Sequence, residues 1–120
     1  MELIKIVNAR QVIDGFAENE DLGAHLSYWL TKFIAKTQSE GDFYLREMKK
    51  ICDKYGEIKE DGSLFVPADE LNSFNDEIEK LGKTEVEAPG ITFSLSELAK
   101  ELKISMKQMY PLLDFINENE

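Results

Sequence analysis

A chain of 120 residues fits one domain, and 42% hydrophobic residues supply enough apolar surface for a core. The net charge of −10 and the pI near 4.6 disfavour nucleic acid and anionic lipid as non-specific partners. Cys52 is the one cysteine, which excludes an intrachain disulfide, and the start of the chain lacks the basic-then-apolar order of a signal peptide.

Apolar runs such as Tyr28-Trp29-Leu30 are far shorter than the ~20 residues of a membrane helix. A cytoplasmic protein with no membrane contact is therefore expected. In chain order, Leu3, Ile4, Ile6 and Val7 form a short apolar cluster with the composition of a strand. Asn8-Ala-Arg-Gln11 then has the form of a capping box, with Val12, Ile13, Phe16 and Ala17 on one helical face. Residues 18–23 interrupt this pattern with Asn and Gly. Leu22, Leu26, Trp29, Leu30, Phe33 and Ile34 restart it as a 3.6-period stripe. Ser39-Glu-Gly-Asp42 opens a third helix faced by Tyr44, Leu45, Met48, Ile51, Cys52 and Tyr55, with Gly56 at its end. These two long helices are expected to form an antiparallel hairpin.

Ile58 and Leu64-Phe65-Val66 flank Asp61-Gly62, a dipeptide that favours a tight β-hairpin turn. Pro67 pre-sets φ for the start of a helix whose face is Leu71, Phe74, Ile78 and Leu81, closed by Gly82. Val86, Ile91 and Phe93 form short extended pieces around Pro89-Gly90. Ser94-Leu-Ser-Glu97 and Ser105-Met-Lys-Gln108 are two further capping boxes, each ahead of a Leu-rich helix, and 117–120 is expected to fray. The fold class is α+β, mainly helical, over 1–120.

Residues 57–87 carry ten acids against Lys59, Lys80 and Lys83, a net of −7, and the rest of the chain a net of −3. The periodicity puts Glu70, Asp76 and Glu77 opposite the apolar face of their helix. One reading is an ordinary solvated face. The other is a docking surface for a basic protein, built from Glu60, Asp61, Asp69, Glu70, Asp76, Glu77 and Glu79. Tyr28 falls off the main stripe and is the best candidate for an exposed aromatic anchor.

Catalytic inventory is thin. His25 is the only histidine, placed beside core residues, and Cys52 lies on an apolar stripe. A zinc site of His/Cys type cannot be assembled from them. Glu57–Ser63 has a faint likeness to a calcium loop but lacks its alternating ligands. No Gly-rich phosphate loop occurs. No enzyme activity and no cofactor are expected. Residues 94–110 resemble a helix-turn-helix, with Ala99 at the crossing and Lys107, Gln108 and Tyr110 as exposed readers. Lys103 replaces the usual turn Gly, Pro111 falls inside the second helix, and residues 94–116 are net zero in charge. A two-helix packing element is the competing reading.

Lys54-Tyr-Gly-Glu-Ile-Lys-Glu-Asp-Gly62, Phe74-Asn-Asp-Glu-Ile-Glu-Lys-Leu81 and Thr84-Glu-Val-Glu87 occur in that order, after the N-terminal apolar segment and two helices and ahead of an Ile/Leu-rich helical end. Taken together they resemble a family of short tailed-bacteriophage proteins of unknown function, from phages of Gram-positive hosts. Over 18–32 that family is basic, whereas this chain has Glu18, Glu20 and Asp21. The resemblance lends no catalytic residue. It implies a phage or prophage origin and an accessory role, as an inhibitor of a host defence or nucleic-acid-binding protein or as a late tail-assembly factor.

Overall fold

Leu3, Ile6, Val7 and Ile13 fall on one side of a 3.6-residue period, and Leu3–Asp14 is a helix, α1, with all four side chains buried. This corrects the expected N-terminal strand and the helix start at Asn8. Ile4, Ile6 and Val7 are β-branched, but burial along a helical face outweighs that local preference. What is extended at this end is shorter: Glu2 bridges Glu85, Leu3 N–H donates to the Thr84 carbonyl at 2.8 Å, and Val86 N–H donates to that of Met1 at 2.8 Å.

The computed structural model describes residues 1–117. It is a mainly helical α+β fold. Beyond α1 come α2 (Ala24–Lys36), α3 (Gln38–Tyr55), β1 (Glu57–Ile58), β2 (Leu64–Phe65), α4 (Leu71–Gly82), β3 (Phe93–Ser94), α5 (Leu95–Glu101) and α6 (Met106–Met109). A 3-10 segment, Tyr110–Phe115, and β4, Ile116–Asn117, complete the order. β1 and β2 pair antiparallel, and β3 and β4 pair parallel. Asn117, expected to fray, pairs with Ser94; the rest of that expected tail, 118–120, lies outside the described residues.

One core holds most of the buried surface. Ile6, Ala9 and Ile13 of α1 meet Leu26, Leu30 and Phe33 of α2, Ile91, Phe93, Leu98, Leu102, Leu112 and Phe115. At its centre Phe33 meets Phe115 edge-on at 5.0 Å and Phe93 at 5.8 Å. Each such pair adds about 0.5–1.5 kcal/mol beyond burial. A smaller cluster adjoins it along the same face of α1, where Leu3, Val7 and Leu81 are covered by Phe43, Tyr44, Met48 and Ile51.

These clusters separate the two long helices. A single residue, Thr37, joins α2 to α3; its buried hydroxyl donates to the Phe33 carbonyl at 2.7 Å. From there α3 packs chiefly on α1 and α4 rather than along α2. The expected pairing of α2 with α3 is thus replaced by an α3–α4 pair bridged by the β-hairpin. The hairpin turn is as expected in place. Gly62 N–H donates to the Lys59 carbonyl, Gly62 itself has φ of 85°, and Asp61 accepts from the Ser63 N–H. That is a tight turn followed by a left-handed Gly. Pro67 falls in a turn of its own, closed by Glu70 N–H on its carbonyl, and α4 begins only at Leu71.

No residue from 38 to 80 is buried. The molecule is accordingly long, 49 × 31 × 24 Å, with a radius of gyration of 16.8 Å, against roughly 14 Å for a compact chain of this length. The end of α3, the hairpin and the start of α4 form an arm extending from the core.

Candidate functional site

The arm carries the predicted acidic residues, and its own lysines divide them. Glu77 faces α3 and pairs with Lys54 at 3.3 Å; Glu79 pairs with Lys83 one turn on at 2.7 Å. A hydrogen bond from Tyr55, with Lys54 behind it, holds the Glu77 carboxyl below the usual carboxylate range. Lys83 does the same to Glu79. Lys54 is raised in turn, first by Tyr55 and then by Glu77. Both carboxylates are already neutralised; Glu77 braces the α3–α4 joint, and Glu79 pairs along α4 itself.

Residues nearer the tip differ. Glu57, Glu60, Asp61, Asp69, Glu70 and Asp76 have no cation within ion-pair distance among the described residues. Within 57–76 the only base is Lys59, whose ammonium lies 4.8 Å from the Phe65 ring centre. Asp61 is held low in pKa by the Ser63 hydroxyl, which donates to it at 2.6 Å, so it stays ionised as the turn forms. The same segment exposes Ile58 (66%), Phe65 (45%), Leu71 (44%) and Leu64 (37%). Single exposed apolar residues are ordinary, but four in a short segment form a patch. The far end of the arm is thus apolar and uncompensated in charge at once.

Tyr28 lies elsewhere, on the outer side of α2, 57% exposed and stacked edge-on against Trp29 at 5.2 Å. It borders the main core rather than the arm. Nearby, His25 Nδ1 lies 2.9 Å from the Glu97 carboxylate, at a cleft of about 330 Å³ lined by Trp29 and the extended stretch 90–94. This pair ties α2 to α5, as does Gly23 N–H, which donates to the Glu101 carboxylate. Sequence reasoning gave His25 no partner, because residues 72 apart share no local signal. The pair joins two helices.

The two C-terminal capping boxes form as expected. Ser94 accepts from Glu97 N–H, and Ser105 and Gln108 cap each other reciprocally. The second helix is shorter than a helix-turn-helix needs. α6 has four residues, and Pro111, lacking an N–H, lies in the tighter 3-10 segment that follows. Lys107 and Tyr110 are exposed, but the Gln108 side chain is committed to the Ser105 N–H at 2.9 Å. Among the described residues no group of three or more His, Cys, Asp or Glu is placed to hold a metal ion, and no helix is long and apolar enough to cross a membrane.

Compared with protein-family models, with curated proteins and with solved structures, the chain matches none.

Proposed function

We propose that this protein is a non-enzymatic binding module whose arm, residues 57–76, docks on a basic protein surface with an apolar centre. One observation carries the reading: on the same projecting element, exposed Ile58, Leu64, Phe65 and Leu71 are interleaved with six carboxylates that have no internal counter-ion among the described residues. The charges steer and orient the encounter, and the apolar side chains supply the buried contact that holds it. Glu77, paired with Lys54, ties α4 to α3 at the base of the arm. Tyr28, exposed on α2, belongs to a different element from the arm and is not needed for this surface.

Clustered Lys and Arg are what a protein needs to bind phosphate backbones. A host nucleic-acid-binding or defence protein therefore fits the chemistry of the arm, with carboxylates standing where phosphates would lie. The resemblance to short tailed-phage proteins supports a bacterial cytoplasm as the setting. The DNA-binding alternative gains no support from a four-residue α6 whose Gln108 is engaged in a cap.

The test is capture from a lysate of a Gram-positive host by immobilised protein, followed by pairwise binding with the captured partner. Wild type and a Glu18→Lys/Glu20→Lys control should retain it at low salt. Asp69→Lys/Glu70→Lys should lose it, and about 1 M salt, where the Debye length falls to about 3 Å, should release it. A partner held equally by the arm variant, or undisturbed by that salt, contradicts the reading.

A further inference from the structure

We infer that a second copy of this chain is one partner of the arm, docking head-to-tail on the exposed face of α6 and the 3-10 segment. The inference rests on the reading of the arm as a docking element and names a surface that fits it. Met106, Tyr110 and Leu113 are 89%, 76% and 51% exposed. Met106 and Tyr110 stand four residues apart, one helical turn. Tyr110 and Leu113 stand three apart within the 3-10 segment, where such positions eclipse. The side chains thus share one face. A groove of about 390 Å³ adjoins it, with Ile4, Tyr110, Pro111 and Leu113 on its walls. The acids bordering the groove are Glu2 and Asp114, and Asp114 already pairs with Lys5 at 3.4 Å. Large apolar side chains grouped and exposed in this way mark an interaction surface.

Charge decides what covers it. Residues 102–113 contain Lys103 and Lys107 and no acid. Both lysines are exposed, and neither has a carboxylate within ion-pair distance among the described residues. The arm is the complement of this face. It exposes Ile58, Leu64, Phe65 and Leu71 among carboxylates that lack internal counter-ions. Both surfaces are exposed, so neither covers the other within one chain. The net charge of −10 opposes association between copies at long range. At about 0.1 M salt, with a Debye length of about 10 Å, that repulsion is largely screened while charges in contact still attract. α2 is another acid-free basic surface, with Lys32 and Lys36, but its large exposed apolar residues are Tyr28 at 57% and Trp29 at 37%. Because arm and face are different surfaces, each contact leaves one of each unused, and further copies can add.

Light scattering from about 10 μM to about 1 mM protein reads the mass. At about 0.1 M salt the wild type should grow with concentration beyond twice its 13.8 kDa, and about 1 M salt should return it to monomer. The arm variant Asp69→Lys/Glu70→Lys and the face variant Met106→Ser/Tyr110→Ser should each remain monomeric, with the circular dichroism of the wild type. Mixed in equal amounts they should form a pair and nothing larger, since one brings an intact face and the other an intact arm. A mixture that stays monomeric overturns the inference. So does an arm variant that associates by itself, or a face variant that grows as the wild type does, which would move the contact to α2 or elsewhere. A monomeric wild type whose captured partner is still lost by the arm variant overturns this inference alone. An arm variant that keeps that partner overturns the reading beneath it as well.

Discussion

The core and the arm use similar residue types to opposite ends. Around Phe33, helices α1, α2 and α5 and the 3-10 segment bury every large apolar side chain they aim inward. Between residues 38 and 80 amphipathic helices of equal regularity bury none completely. Periodicity alone does not distinguish the two, since a stripe is the same whether it faces a full layer or half of one. What differs is the number of elements available to cover it. The core has helices on several sides, while α3 packs chiefly on α4 and α1. Stability therefore resides in one region, and exposed chemistry is free to reside in the other.

Phe33→Ala should produce the largest effect. It removes a fully buried ring and two aromatic contacts, at a cost of about 3–5 kcal/mol in urea unfolding. A loss under about 1 kcal/mol would erase the distinction between the regions. Gly62→Ala acts in the arm, where a φ of 85° disfavours any side chain although nothing crowds the site. The strain is about 1 kcal/mol. Because the hairpin packs mainly on itself, hydrogen exchange of 57–65 should quicken while the midpoint of global unfolding barely moves. A matching fall in that midpoint would mean the arm and core unfold together.

Ile58→Ser and Phe65→Ser should change stability by no more than about 0.5 kcal/mol, as exposed positions do, while weakening retention of the captured partner. Acid has the subtlest effect. Asp61, Glu77 and Glu79 have carboxyls lowered in the folded chain by Ser63, by Tyr55 with Lys54, and by Lys83. Their contribution is complete above the ordinary carboxylate range and is lost as pH falls through the lowered values. Asp61 lies in the hairpin and Glu77 at the α3–α4 joint, so below about pH 4 exchange should quicken at the hairpin and that joint before the core. A core that loosens first would contradict this.

Much of the fold was legible because its signals are local. The stripe of Leu26, Leu30 and Phe33, the Asp61-Gly62 turn and both serine caps need only neighbours in sequence. α1 was misread because Ile4, Ile6 and Val7 favour strands, and only the faces they meet reveal a helix. Pro111 was visible as an interruption, though not as the cause of a 3-10 segment. The acidic run was plain in the sequence. Its division was not, because Lys54 and Glu77 are 23 residues apart and meet only through α3–α4 packing. His25 with Glu97, and Arg10 with Gln38, were hidden for the same reason.

Hydrogen exchange with and without the captured partner tests the division of labour most directly. The account predicts that amides of 57–76 exchange faster than those of α1 and α2 in the free protein and become protected in the complex, with 3–13 and 26–33 unchanged. Protection that appears over α2 and α5 instead, leaving the arm as it was, would contradict it.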